Sequence, residues 1–200
     1  KPKLFSNKQT SKQESMFRKL YLRGDMPFKI NFNGIHRKIL WLIQPEKIDL
    51  EYYMPIIFSG LVEIEEPYGF LAEQTSVELI QANREKIHLI LKSIIPNLKN
   101  ALSHANRTIS IRGVIVLQRM IKECKGISSS LVPFYKNILP ALRRNLKNNY
   151  NSKGDIEYSQ QKNINISDLS DKTLRLLELD GGKEIVPLIL NYVPCYQTLS

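Results

Sequence analysis

The sequence of 200 residues lacks most of the features that mark membrane proteins and secreted domains. It has no apolar run near the roughly 18 residues that a transmembrane helix needs, so no membrane span is predicted. Its first eight residues are Lys, Ser and Asn-rich, without the apolar region of a signal peptide or an initiator Met. We therefore interpret the sequence as part of a longer cytosolic chain.

Cysteine is also scarce. Cys124 and Cys195 are far apart in the sequence and belong to no metal-binding or redox motif. Two unpaired thiols are common in proteins of reducing compartments, whereas small secreted domains have denser cysteine patterns. We expect two buried, free cysteines and favour this interpretation over a disulfide.

Residues for catalysis or metal binding do not cluster. Three histidines lack metal-ligand spacing with each other or with the cysteines: His36, His88 and His104. The densest carboxylate group is Glu63, Glu65 and Glu66, beside Pro67 at a predicted helix end, where solvation would account for it. Glycine-rich phosphate loops, nucleophile elbows and calcium loops are absent. The sequence predicts no enzymatic activity, no catalytic residue, no metal site and no cofactor.

What the sequence does contain is a repeated phrase. The segments Ile94–Lys99 and Ile138–Arg143 each have two apolar residues, a proline, any residue, a leucine and a base, and their prolines are 44 positions apart. A looser copy places Pro55 a further 41 positions upstream. A period of about 40–47 residues is typical of HEAT and armadillo repeats, which are stacked helical hairpins. The alternative is a set of unrelated helices that contain proline.

Helical periodicity continues from Asp49 onward, which predicts an all-α, HEAT/armadillo-like fold. Before it, Asn33-Gly34 separates two apolar runs, so a hairpin or extended arm is predicted within residues 28–43. Residues 1–15 are basic and polar, and we expect a flexible tail. The remaining residues, 16–200, would form a single helical-repeat domain.

The sequence also predicts details of two helices, one near the middle of the chain and one at its end. Along the helix predicted from Arg107 to Cys124, one narrow polar strip is formed by Thr108, Arg112, Arg119 and Glu123. Nearly everything else on this helix is apolar, which predicts an inner helix that is packed by neighbours on both sides. The last helix is predicted from about Glu184 to Gln197, with two prolines inside it.

The net charge of +10 is distributed unevenly. Residues 1–50 and 101–150 carry net charges of +7 and +8, whereas residues 51–100 and 151–200 are mildly acidic. The helix predicted from Ser130 to Lys147 has a face of four bases without an acid: Lys136, Arg143, Arg144 and Lys147. Solvated helix faces usually mix charges of both signs. This face is therefore either a plain solvated surface or a docking surface for an anionic partner.

A long polar connection occupies residues 148–165. Connections longer than about 12–15 residues are uncommon in compact domains and are often functional. Tyr158 is suited to anchor a contact through a buried ring and a paired hydroxyl. We predict that this segment, with Tyr158 and Gln160, contacts a partner, and the alternative is a structural loop that packs on the domain itself.

Several phrases in order along the chain resemble the parkin co-regulated protein family. They are Phe17–Pro27, Leu50–Pro55, Pro67–Phe70, Lys99–Leu102, Leu131–Tyr135, Ile138–Pro140, Gly154–Lys162 and Tyr192–Pro194. The phrase Tyr158–Lys162 is the most specific of them. Together the matches extend over residues 17–197. The chain departs from the family pattern mainly in residues 28–40, where the segment Asn33–His36 looks shortened, and in the very basic face of residues 136–147.

The resemblance implies a helical fold and a structural role in cilia and flagella. The expected location is the inner junction of doublet microtubules, within the axoneme and thus the cytoskeleton, where the B-tubule closes onto the A-tubule. The implied partners are α/β-tubulin, a β-sandwich junction protein that alternates with this one along the seam, and other microtubule inner proteins. No membrane partner is implied.

Tubulin surfaces are acidic, so the basic residues are the expected contacts. We predict that the tail lysines Lys1, Lys3, Lys8 and Lys12 and the helical bases Lys136, Arg143, Arg144 and Lys147 bind tubulin. The alternative partner for the same bases is a nucleic acid. Aromatic residues lie on the apolar arcs of the predicted helices instead of alternating with the bases, which argues against base stacking.

Overall fold

The computed structural model describes residues 14–33, 36–147 and 165–199. The predicted tail lysines, the turn at residues 34–35 and most of the long connection, including Tyr158 and Gln160, lie outside these ranges. The described chain is mostly helical with one short hairpin, as predicted for the all-α class. Its α-helices are α1 Met16–Arg23, α2 Leu50–Ser59, α3 Tyr68–Ala82, α4 Ile87–Leu102, α5 Arg107–Glu123, α6 Ile127–Leu131, α7 Tyr135–Lys147, α8 Ile166–Gly181 and α9 Val186–Tyr192.

Short polar side chains set several helix starts. Ser15 accepts a hydrogen bond from the N–H of Arg18 at 3.1 Å, and Asp49 accepts one from Tyr52 at 3.3 Å. These caps satisfy amide groups that have no partner within the first helical turn. Because Ser15 caps α1, the folded region includes the last residues of the expected tail.

The major helices pack in two layers. In one layer α2 packs on α4, and α4 on α7; in the other, α3 packs on α5, and α5 on α8. Each helix of the first layer also packs against the next helix in the chain, which belongs to the second layer. The resulting pairs are α2/α3, α4/α5 and α7/α8. The prolines of the repeated phrase, Pro55, Pro96 and Pro140, lie inside α2, α4 and α7, so all three belong to the first layer.

Several hydrogen bonds between helices join residues that are 42 positions apart. Asn97 of α4 donates to the carbonyl of Pro55 in α2 at 2.8 Å, and His88 of α4 is 2.9 Å from the hydroxyl of Ser130 in α6. In the other layer Gln81 of α3 donates to Glu123 of α5 at 3.1 Å. Between α5 and α8 the separation is larger, since Gln118 donates to Leu169 and Thr173, which are 51 and 55 positions away. The long connection before α8 accounts for the difference.

The predicted hairpin is present as two antiparallel strands, β1 Phe28–Asn33 and β2 His36–Trp41, in which Phe28 pairs with Trp41. The Phe28 ring lies 5.2 Å from that of Trp41 and 6.2 Å from that of Phe17 in α1. The Trp41 indole donates to the Glu78 carboxylate of α3 at 2.5 Å. The hairpin and α1 thereby cover the α2/α3 end of the stack.

The other end is covered by α9 and the segment after it. Helix α9 packs on α7, and the Tyr196 hydroxyl donates to the buried carboxylate of Glu178 in α8 at 2.5 Å. The N–H of Leu199 donates to the same carboxylate at 3.1 Å. The last helix is shorter than predicted. Pro187 stands in its first turn, where proline is tolerated, but the helix ends before Pro194 because a later proline would remove a backbone donor.

One further expectation, on the cysteines, is corrected by the packing. Both cysteines are free, but only Cys124 is buried, while Cys195 is exposed. Burial raises the pKa of the Cys124 thiol to about 11.

Candidate functional site

The carboxylates before α3 are bound to arginines. Arg18 forms an ion pair with Glu65 at 2.6 Å and lies 3.9 Å from Glu63, and Glu66 pairs with Arg37 of the hairpin. The Glu63 carboxylate also accepts the N–H of Ser15 at 3.1 Å. The sequence suggested that solvation accounts for these carboxylates. The ion pairs show that solvation alone does not. Its charges are balanced by arginines, and the cluster joins α1 and the hairpin to the stack.

Helix α5 is packed by α3, α4 and α8, as predicted for an inner helix. Arg112, a residue of its polar strip, is buried. It is 6% exposed, and its guanidinium donates to the carbonyls of Leu61 and Glu63, both at 2.7 Å. Its Nε atom is 3.5 Å from the Glu73 carboxylate. Burial lowers the pKa of Arg112 and raises that of Glu73. This ion pair lies between α3 and α5, where its neighbours are protein groups.

The described ranges contain no group of three or more His, Cys, Asp or Glu side chains arranged to hold a metal ion. Of the helices in the same ranges, none combines the length and the apolarity that crossing a bilayer requires. The surface feature that stands out is charge.

Helix α7 presents the four predicted bases at the surface. Lys136, Arg143, Arg144 and Lys147 are all exposed, and the helix has no acidic residue. Its opposite side is buried, with Tyr135, Ile138, Leu139 and Leu142 in the core. In the described part of the chain, no carboxylate pairs with any of the four bases.

Arg144 differs from the other three because it also holds the fold together. Its guanidinium donates to the carbonyls of Ser103 at 3.0 Å and Leu102 at 3.3 Å. The last carbonyls of a helix lack partners within it, so Arg144 caps the end of α4. Lys136, Arg143 and Lys147 make no such contact with any residue in the described ranges.

The structure adds two bases that sequence reasoning missed, Lys92 and Lys99 of α4. Both are exposed on the helix next to α7, and α4 has no acidic residue either. The signal was present in the repeated phrase. Lys92 and Lys99 flank Pro96 at the same distances, four before and three after, at which Lys136 and Arg143 flank Pro140. We call Lys92, Lys99, Lys136, Arg143 and Lys147 the basic face.

The chain is similar to known proteins over nearly its whole length. The model of the family described as parkin co-regulated protein matches residues 15–198. A mouse protein named parkin coregulated gene protein homolog is 35% identical over 191 residues, which are 96% of this chain and 79% of the mouse protein. The chain therefore belongs to the parkin co-regulated protein family.

Proposed function

We propose that this chain is a structural, non-enzymatic protein that binds microtubules at the inner junction of ciliary doublets. There it would link the B-tubule to the A-tubule by contacting α/β-tubulin and a neighbouring β-sandwich junction protein. Membership of the parkin co-regulated protein family supports the role. The observation that carries it is the basic face, a set of exposed cations on two adjacent helices without an acid.

The strength of such binding depends on how many ion pairs form at once. A single exposed ion pair contributes about 0–1 kcal/mol and is screened over about 8 Å at physiological ionic strength. Five cations that meet an acidic lattice together act cooperatively, since all are held on one rigid surface. Their attraction would also speed the encounter with the lattice.

We further propose that the pairs α2/α3, α4/α5 and α7/α8 are three HEAT/armadillo-like repeats. The two packed layers, the prolines in equivalent helices and three hydrogen bonds that each join residues 42 positions apart support this interpretation. Repeats of this kind offer extended surfaces for protein partners.

Co-sedimentation with microtubules over a salt series tests the function. The variant K136E/R143E/K147E reverses three charges of the basic face and keeps Arg144, so the cap on α4 is intact. We expect its affinity to fall by about tenfold or more, because exposed pairs contribute little singly but act here together. The control, K29E/K38E/K172E, reverses three exposed lysines on the hairpin and α8 and should bind almost as well as wild type.

The competing partner is a nucleic acid, which the same bases would attract. Retention of the wild-type chain on a DNA column, measured over the same salt series, separates the two. Stronger retention on DNA than on microtubules at equal salt would overturn the proposed function. In ciliated cells, the triple variant of the basic face should fail to reach the doublet seam, whereas the control should incorporate.

A further inference from the structure

Helices α4 and α7 pack side by side. Near their ends Arg144 of α7 donates to the Leu102 and Ser103 carbonyls of α4, which are 42 and 41 positions away. Shortly before α7 begins, Ser130 of α6 lies 2.9 Å from His88 of α4, again 42 positions away. Both contacts place α7 beside α4, in the same direction, with a shift of about 42 residues.

This register brings equivalent bases next to each other. Lys92 and Lys136 are 44 positions apart, as are Lys99 and Arg143, which differs from the hydrogen-bonded separation by only two or three residues. Within each helix the two bases are seven residues apart, about 10 Å along the axis. Packed helix axes are about 8–10 Å apart. The four side chains thus form a two-by-two array of positive charges with a spacing of about 10 Å.

The array is a group of like charges without a carboxylate partner in the described part of the chain. Arg143 differs in this from seven other arginines there, each of which forms an ion pair with a carboxylate: Arg18, Arg23, Arg37, Arg84, Arg112, Arg119 and Arg175. Four like charges at this spacing repel each other, and nothing in the described protein offsets the repulsion. A ligand with matching negative charges would do so.

We propose that the array binds an extended acidic polypeptide segment that crosses from α4 to α7. An extended chain advances about 3.3 Å per residue and its side chains alternate between two faces, so every second carboxylate of an acidic segment faces the array, at intervals of about 6.6 Å. A row of carboxylates along one face can therefore contact bases on both helices. Neither helix exposes a Phe, Tyr or Trp side chain on which a nucleobase would stack. The ligand is therefore a glutamate-rich segment of a protein. This inference rests on the proposed function in placing the partner on the basic face, and it adds the ligand and the role of α4.

The test measures fluorescence anisotropy of a labelled ten-residue glutamate peptide with the whole chain. The variant K92Q/K99Q removes the α4 half of the array, and K136Q/R143Q removes the α7 half. Because both halves contact one ligand, we expect each variant to weaken binding by about fivefold or more. The control K29Q/K38Q loses two exposed lysines of the hairpin and should change the affinity less than about twofold.

Each contrary result has a distinct meaning. Unchanged binding by K92Q/K99Q would show that α4 takes no part and would overturn the proposal, as would an equal loss in the control. Tighter binding of a single-stranded oligonucleotide to the same array would overturn the choice of a polypeptide. If microtubules bind normally while the glutamate peptide does not bind, this inference fails and the proposed function stands. If neither binds, both fail.

Discussion

At the scale of single residues, Arg112 shows what helix periodicity leaves open. On a helical wheel it shares a polar strip with Arg119, but the wheel does not show that Arg112 is buried while Arg119 is half-exposed. The residues that bury it, Leu61, Gly69 and Glu73, lie far away in the chain and were not visible in the pattern of α5. Gly69 belongs to one of the family phrases, and a Cβ atom there would overlap the Arg112 guanidinium. The need for that space explains the glycine.

Replacing Arg112 should destabilise the fold strongly. The variant R112M leaves the carbonyls of Leu61 and Glu63 without their donor and the Glu73 carboxylate without its partner. Breaking a buried pair in this way costs about 3–5 kcal/mol, which urea unfolding would measure. The control R119M changes a half-exposed residue of the same strip and should cost less than about 1 kcal/mol. Similar losses in the two variants would contradict the buried role.

At the scale of elements, the side-chain hydrogen bonds between neighbouring helices fix their register. The sequence predicted the helices and their period, because both follow from apolar spacing and the repeated proline phrase. It predicted Arg144 only as a surface charge, because nothing in the α7 pattern shows that the end of α4 lies beside it. Because Arg144 both caps α4 and lies at the surface, replacing it would change stability as well as binding.

Removing Arg144 should therefore affect stability, whereas removing Arg143 should not. In R144A two carbonyls at the end of α4 lose a protein donor, and since they are near solvent we expect a cost of about 1 kcal/mol. In R143A the lost side chain has no partner in the described protein, so the free energy of unfolding should change by less than about 0.5 kcal/mol. Thermal unfolding of the two variants makes the comparison, and equal melting temperatures would show that Arg144 does not cap α4.

At the scale of the whole molecule, one hydrophobic core extends from Phe17 to Tyr196. It includes residues of the hairpin, such as Phe28, as well as residues of every long helix. The sequence predicts a single helical-repeat domain over residues 16–200. It did not predict how the ends are closed, because the Glu178 contacts involve residues after the point where the last helix stops.

A single core predicts a single unfolding transition. Trp41, the one tryptophan in the sequence, reports on the hairpin, while far-ultraviolet circular dichroism reports on the helices. The two signals should change at the same urea concentration, as expected when small domains unfold in one step. Loss of the tryptophan signal at a lower concentration would mean that the hairpin detaches before the helices melt.

The covered ends of the helical stack restrict how the chain can assemble into long structures. At one end α1 and the hairpin occupy the surface on which another pair of helices would stack, and at the other end α9 does so. A second copy could extend the stack only by displacing one of them. The covered ends therefore oppose growth of the helical stack by end-to-end addition of further copies.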